Sequence, residues 1–240
     1  MTVNTSYIIG ATPRSGSFLL CEALINTGVV GGPGEYFWRG NEEGFRERWG
    51  VSDYSDYVQA AIRQGSTDNG VFGVKIMRNY LDDILTKMRA LPQFCDRDLK
   101  PHVIFAELFP NIHYIWITRR DKVRQAISFE KAIQSGIWAR PRKDPSQLEK
   151  PLEYRSDAIA SHLKSIVLDE SLWNGFFEKA GVTPHVVVYE HLAKHYEDTA
   201  RSVLAYLDVP EPDPLMSKPR YMQRQSDALS EKWYWRFMEE

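Results

Sequence analysis

The sequence predicts an α/β fold in which a central, mostly parallel sheet is flanked by helices. Short runs of almost uninterrupted apolar residues recur along the chain, and each is followed by a segment whose apolar residues repeat with helical spacing. Strands that are apolar on both faces are typical of parallel sheets covered by helices on both sides. No repeat of fixed period is present, which excludes a solenoid.

Four strands are predicted, at residues 6–11, 71–77, 112–118 and 184–189. The helices that follow them are marked by apolar residues on one face: Leu19, Leu20, Ala23 and Leu24; Leu81, Ile84, Leu85 and Met88; Val123, Ala126, Ile127 and Ile133; and Ala200, Val203, Leu204 and Leu207. A longer helix between the last two strands is predicted from Ile159, Leu163, Ile166, Val167, Trp173 and Phe177.

The 240 residues are expected to form one domain, residues 1–240, with insertions near 39–68 and 139–151 and an aromatic tail at 220–240. The polar segment 39–68 is expected to form small helices outside the core. Proline-rich stretches at 139–151 and 209–219 are predicted loops. In an α/β sheet, loops at the carboxyl ends of the strands form the ligand crevice.

Composition excludes several classes of protein. Thirty Lys and Arg residues against 32 Asp and Glu give a net charge of −2, so general binding to nucleic acid is not expected. Two cysteines cannot form a disulfide framework, and no zinc-site spacing appears, so no metal is expected. Cys21 is interpreted as a small buried hydrophobe. Without a basic leader segment or a run of 18 apolar residues, a cytoplasmic location is expected.

The junction after the first predicted strand, GATPRSGSF at residues 10–18, predicts an anion-binding cradle. A turn of small residues that opens a helix offers backbone N–H groups and the positive end of the helix dipole to an anion. Arg14 adds a fork of donors, and Ser15 and Ser17 add hydroxyl groups. The junction is not a Walker A loop, because the Lys-Ser/Thr pair of GxxxxGK(S/T) is missing. A glycine turn that only packs helix on strand remains the alternative.

A second candidate anion site follows the third predicted strand, where Arg119, Arg120 and Asp121 precede a helix that carries Ser128. Arginines at the carboxyl end of a strand can bind a phosphate group, and a serine on the next helix can donate to it. Alone this pattern is weak, because an Arg–Asp pair at the start of a surface helix is common.

Taken together, the segments TPRSGS and ITRRDKVRQAIS resemble the PAPS-dependent sulfotransferases, and within them the Stf0 family. Further matching segments are residues 28–37, NGVFGVKIM, QSGIW and RQSDALSEKW, so the resemblance extends from the first strand to the tail. It implies a P-loop NTPase-like sulfotransferase fold. It also implies transfer of the sulfuryl group of PAPS to a hydroxyl of a carbohydrate or glycolipid, with a trehalose-like sugar among the candidates and PAP released.

The resemblance assigns residues to the two ends of the donor. It places Arg14, Ser15, Gly16, Ser17 and Phe18 around the 5′-phosphosulfate, and Arg119 and Ser128 on the 3′-phosphate. Arg120 is the alternative to Arg119, because the family's usual Arg–Ser spacing of eight selects Arg120 whereas alignment on the strand end selects Arg119. Arg224 and Gln225 in the tail are expected to complete the nucleotide pocket.

The resemblance also assigns Glu35 as the general base. A carboxylate beside the cradle can take the proton of an acceptor hydroxyl, and Arg14 with the loop amides can stabilise charge on the departing group. Tyr36, Phe37 and Trp38 are expected to form a wall against which a sugar stacks. The alternative for Glu35 is a solvated loop acid.

Further expectations concern Lys75, Trp138, His162 and the assembly of the protein. Lys75 either reaches solvent at the strand end or faces the crevice and meets the phosphosulfate or Glu35. Trp138 is expected to close over the acceptor, and His162 to be a packed histidine rather than a base. The family implies a homodimer, which the KWYWRF tail would suit unless it docks on its own core. Competing functions are a P-loop-like kinase or nucleotide-binding protein and a non-catalytic nucleotide- or glycan-binding relative.

Overall fold

The sheet has four strands in the order β2–β1–β3–β4, and all its pairs are parallel. The computed structural model describes residues 2–138, 151–222 and 227–240. The strands are β1 (Thr5–Ala11), β2 (Val71–Met77), β3 (Ile112–Thr118) and β4 (His185–Val188). The predicted parallel sheet is therefore confirmed, although the fourth strand is shorter than predicted and ends before Tyr189.

Ten helices lie in the described parts of the chain. They are α1 (Ser17–Thr27), α2 (Arg39–Trp49), α3 (Tyr54–Gln64), α4 (Arg78–Arg89), α5 (Pro101–Leu108), α6 (Lys122–Ser135), α7 (Ser156–Ala180), α8 (Tyr189–Leu192), α9 (Tyr196–Tyr206) and α10 (Ala228–Glu239). The sequence analysis did not predict α5. Among these helices, none combines the length and the apolar character needed to cross a bilayer.

The core has two parts because successive residues of β1 point to opposite faces of the sheet. Ile8 packs with α3, α4, α5 and α7 on one face, whereas Tyr7 and Ile9 pack with α1 and α9 on the other. A third cluster joins α6 and α7 to α10, where Trp233 is buried. The aromatic tail thus docks on its own core, with Trp233 buried and Leu229, Tyr234 and Phe237 packed around it.

The expectation that residues 39–68 lie outside the core is wrong for α3. Helix α2 has no buried residue, but α3 buries Tyr57, Val58 and Ala61 within the α4-side core. These residues recur three to four positions apart and therefore form one apolar face. The predicted loop at 139–151 lies outside the described residues except for Pro151, and Arg224 and Gln225 also lie outside them.

Candidate active site

A cavity of about 1060 Å³ opens at the carboxyl ends of β1, β2 and β3. One wall is the β1–α1 loop and the face of α1, and the opposite wall is α6 with the start of α10. The segment 33–41 and the start of α4 also line it, together with residues 137–138, 151–152, Tyr189, Arg220 and Met222. The position agrees with the rule that ligands of α/β sheets bind outside the carboxyl ends of the strands.

The β1–α1 loop is shaped to bind an anion. Arg14 and Gly16 have φ angles of 62° and 95°, so the backbone turns through left-handed conformations immediately before α1 begins. Such turns direct successive N–H groups to one point, and the residue at the N-cap of α1, Gly16, has no side chain to cap the first turn. A Cβ atom at Gly16 would collide with the ring of Tyr189, so only glycine fits this position.

The loop is held against α6 by two side chains. Gln125 on α6 donates through Nε2 to Thr12 Oγ1 at 2.9 Å and to the carbonyl oxygen of Pro13 at 2.7 Å. Arg14 Nε donates in return to Ser128 Oγ at 3.0 Å, and Arg14 Nη1 donates to the carbonyl oxygen of Trp138. These bonds join the predicted 5′-phosphosulfate and 3′-phosphate residues into one connected site.

Arg14 and Arg119 place two positive charges in this end of the cavity. Burial, together with the nearby charge of Arg119, lowers the pKa of Arg14 to about 10, so it stays protonated at neutral pH. Burial also lowers the pKa of Arg119, while Tyr189 and Glu190 act in the opposite direction. The Arg119 guanidinium lies 4.7 Å from the centre of the Tyr189 ring. Its buried Nε has no hydrogen-bond partner within the described chain.

The structure separates the two candidate arginines for the second anion site. Arg119 and Ser128 both line the cavity. Arg120 is exposed and lies outside the cavity wall, and its backbone N–H donates to Glu190 Oε2 at 3.1 Å. Of the two alternatives left by the sequence, Arg119 is the one that lines the same cavity as Ser128.

The predicted cradle residues differ in whether they line the cavity. Arg14, Gly16, Ser17 and Phe18 line the cavity. Ser15 does not: its side chain is fully buried beneath the loop, and its Oγ has no hydrogen-bond partner among the described residues. The expectation that the Ser15 hydroxyl faces the anion is corrected accordingly, because the left-handed turn at Arg14 directs the Ser15 side chain inward.

Glu35 and Lys75 form an ion pair on the other side of the cavity. Lys75 Nζ lies 3.0 Å from Glu35 Oε1, and the two side chains are 2% and 15% exposed. The Lys75 ammonium also lies 3.5 Å from the centre of the Phe18 ring. Of the alternatives stated for Lys75, the contact with Glu35 is the one present. Both residues line the same cavity as Arg14 and Arg119.

Tyr80, which the sequence analysis missed, lies beside this pair in the first turn of α4. Burial, with a further contribution from the Glu35 charge, raises the pKa of Tyr80 well above its usual value, so the phenol stays neutral. Its buried hydroxyl lies near the Glu35 carboxylate and the main chain of Met77, and it makes no hydrogen bond of good geometry to a described residue. Its place in the sequence could have indicated this, because the first turn of a helix that follows a parallel strand borders the crevice.

Comparisons with known proteins agree with this geometry. The family model described as Stf0 sulphotransferase matches residues 6–240. This chain belongs to the Stf0 sulfotransferase family. The trehalose 2-sulfotransferase of Mycolicibacterium smegmatis is 30% identical over 97% of this chain and 94% of its own. The protein of the same name from Mycobacterium tuberculosis is 29% identical over 98% of this chain and 94% of its own.

The fold of this Stf0 family member also has a solved counterpart. A sulfotransferase domain from the curacin biosynthetic pathway superposes with a TM-score of 0.50 at 16% identity, covering 90% of this chain and 77% of that domain. The sulfotransferase fold and the family assignment expected from the motifs are both confirmed. The protein is therefore a sulfotransferase enzyme.

Among the aromatic residues expected to line the acceptor wall of the Stf0 protein, the structure brings only Trp38 and Trp138 to the cavity. Both indoles are exposed, at 42% and 44%. Tyr36 packs against Phe45 and Trp49 of α2, and Phe37 is buried in the core. The expectation for Tyr36 and Phe37 is corrected, because the aromatic residues of α2 and α3 draw both rings away from the cavity.

The wall formed by α10 was also missed from the sequence. Lys131 on α6 pairs with Asp227 at 2.6 Å, and Arg124 pairs with Glu231. Lys131, Arg124, Asp227 and Ser230 line the cavity of this Stf0 sulfotransferase. Arg124 and Lys131 of the cavity wall are therefore paired with the carboxylates of Glu231 and Asp227.

His162 and Cys21 are the remaining candidate groups, and both pack against other parts of the protein. His162 stacks near Phe129, with ring centres 4.5 Å apart, and its Nε2 lies 2.8 Å from Glu130 Oε2, consistent with a packed histidine. Cys21 is buried as predicted, and burial raises the pKa of its thiol to about 11. Within the ranges that the structure describes, no group of three His, Cys, Asp or Glu side chains could hold a metal.

Proposed function

We propose that this Stf0 enzyme transfers the sulfuryl group of PAPS to a hydroxyl group of a sugar, free or carried on a glycolipid, and releases PAP. The observation that carries the proposal is the division of one cavity into two ends. Arg14, Arg119 and Ser128 supply positive charge and donors at one end, and Glu35 supplies a carboxylate at the other.

The donor end fits a nucleotide with two separate anionic groups. The loop N–H groups and Arg14 suit the 5′-phosphosulfate, which supplies the activated sulfuryl group. Arg119, whose Nε has no partner in the described chain, and Ser128 suit the 3′-phosphate. The Ser128–Arg14 hydrogen bond of 3.0 Å links the two subsites, so one nucleotide can occupy both.

The acceptor end fits a neutral polyol. Glu35 accepts the proton of the attacking hydroxyl as its oxygen bonds to sulfur, and the electron pair of the broken S–O bond leaves with PAP. Arg14 and the start of α1 stabilise the negative charge that develops on the departing phosphate. Trp38 offers a half-exposed ring for stacking, and Asn41 and Asn79 offer amide groups to hydroxyls. The relatives' names, trehalose 2-sulfotransferase, support a disaccharide acceptor.

A thermal-shift comparison of PAP with ADP tests the donor. A ligand that binds only the native state at 100 times its Kd stabilises it by about 2.7 kcal/mol. PAP is expected to raise the melting temperature clearly more than ADP at the same concentration. Equal shifts would remove the 3′-phosphate assignment, and an ATP preference that requires Mg²⁺ would favour the kinase alternative.

A transfer assay with ³⁵S-labelled PAPS tests the reaction, with trehalose as first acceptor and other sugars and glycolipids as the panel. Radiolabelled sugar that depends on protein and on a free hydroxyl is expected. PAP binding without transfer to any acceptor would support the non-catalytic alternative instead.

We further infer that the enzyme is a homodimer whose contact includes the tail. Trp235 and Met238 on α10 are exposed although Trp233 of the same helix is buried, and exposed apolar surface of this kind marks interfaces. Light scattering on the eluted protein is expected to give twice the chain mass, reduced to the chain mass by Trp235→Glu. A monomeric wild-type protein would contradict the dimer.

A further inference from the structure

Lys75 makes three separate contacts with the two ends of the cavity. Its backbone N–H donates to the carbonyl oxygen of Gly34 at 2.9 Å, so β2 holds the main chain immediately before Glu35. Its Nζ lies 3.0 Å from Glu35 Oε1 and 3.5 Å from the centre of the Phe18 ring. Phe18 is the second residue of α1 and follows the anion loop directly. One side chain therefore touches both the base and the helix that begins at the donor cradle.

The position of Lys75 is rigid. β2 is buried along its whole length, and Lys75 pairs with Ile9 of β1, the strand that leads into the anion loop. Loops on either side of the cavity can shift, but a residue in a strand of the sheet keeps its place relative to β1. Any segment that Lys75 binds is thereby fixed relative to the cradle.

Stability alone does not account for a charge at this place. Removing an ammonium and a carboxylate from water costs more than their attraction often returns, and an apolar pair of similar volume frequently replaces a buried ion pair without loss of stability. A methionine at position 75 would continue the apolar pattern of the strand. The charge instead has a direct geometric effect, because it holds Oε1 of Glu35 at 3.0 Å from a residue of the sheet.

We propose that Lys75 is a positioning residue that sets the distance between the donor cradle and the general base, through simultaneous contacts with Phe18 and Glu35. The inference rests on the proposed function, since it assumes that Glu35 acts on an acceptor bound beside the donor. Lys75 contributes to the rate through Glu35 and is not a ligand of the nucleotide.

The test is a double-mutant cycle with Lys75→Met, Glu35→Gln and the combined variant, assayed for transfer of labelled sulfuryl from PAPS to trehalose. Misplacing a reacting group by about 1 Å can cost 10²-fold, so Lys75→Met is expected to lower kcat about 10²-fold. The KM for PAPS and the melting-temperature shift with PAP should change less than about twofold. In the Glu35→Gln background the same substitution should change kcat by less than about threefold, because coupled residues are not additive.

The combined variant also serves as the folding control. Lys75→Met alone leaves a buried carboxylate without its cation and can lose stability, whereas Lys75→Met with Glu35→Gln leaves no buried charge at this place. If Lys75→Met does not fold, Glu35→Gln is compared with the combined variant instead. A PAP affinity that is tenfold lower in the combined variant than in Glu35→Gln overturns the proposal. Equal losses of kcat in both backgrounds also overturn it. A wild-type enzyme that binds PAP but modifies no acceptor would instead refute the proposed function.

Discussion

At the donor end of the cavity, Arg14 and Arg119 lie close enough for the charge of one to lower the pKa of the other, and the Arg119 Nε has no partner in the described chain. At the acceptor end, Lys75 lies 3.0 Å from a carboxylate. The first end therefore presents two guanidinium groups, which suit an anionic ligand, whereas at the second the Lys75 ammonium is paired with the Glu35 carboxylate. The difference shows how one continuous cavity can direct a charged donor and a neutral acceptor to separate places.

The largest expected effect comes from removing the Glu35 carboxylate at the acceptor end. Glu35→Gln keeps the size of the side chain but cannot accept the acceptor proton, so kcat is expected to fall about 10²–10⁴-fold. Steady-state transfer to trehalose measures it, and isothermal titration with PAP should show unchanged affinity. Glu43→Gln, an exposed position outside the cavity, is the control and should retain activity. Unchanged kcat in Glu35→Gln would remove the assigned base.

A smaller effect is expected at the donor end. Hydrogen bonds to charged groups contribute about 1.5–3 kcal/mol, so Arg119→Ala should weaken PAP binding about 10–100-fold. Binding of ADP should weaken much less, because it lacks the 3′-phosphate. Arg120→Ala is the matched control and should bind PAP normally. If Arg120→Ala weakened PAP binding and Arg119→Ala did not, Arg120 would be the residue that holds the phosphate.

Trp38→Ala addresses the acceptor wall and should act on sugar binding only. Loss of the stacking surface is expected to raise the KM for trehalose about five- to tenfold, or about 1 kcal/mol, while the KM for PAPS stays the same. Leu168→Ala on α7 removes an exposed apolar side chain outside the cavity and is the control. If both Michaelis constants rise together in Trp38→Ala, the two ends are not separate.

The smallest effect is expected for Tyr80→Phe. The phenol hydroxyl is buried near Glu35 and Met77 without a hydrogen bond of good geometry in the described chain, so its removal should change the free energy of unfolding by less than about 1 kcal/mol. Urea unfolding measures this. The same variant should keep kcat within about threefold; a loss of 10²-fold would show that the hydroxyl takes part in holding Glu35.

The sequence predicted those features that depend on local pattern. Apolar runs predicted the strands because a buried parallel strand needs apolar residues on both faces, and the small residues around Gly16 predicted the cradle. The strand end favoured Arg119 over Arg120 but left both open, since the contacts that separate them involve Tyr189 and Glu190, which follow a strand much later in the chain. The burial of Tyr36 likewise depends on α2.

The hydrogen bond between Arg14 and Ser128 has a consequence for how a nucleotide enters the site. A hydroxyl group carries one proton and two lone pairs, and the Ser128 oxygen accepts from Arg14 at 3.0 Å through one of those pairs. Its proton stays able to point to a phosphate oxygen. An incoming anion can thus gain a donor without displacing the arginine, and the cation polarises that hydroxyl in advance. In the proposed donor complex, we expect Ser128 to connect the group bound by Arg14 with the group bound by Arg119.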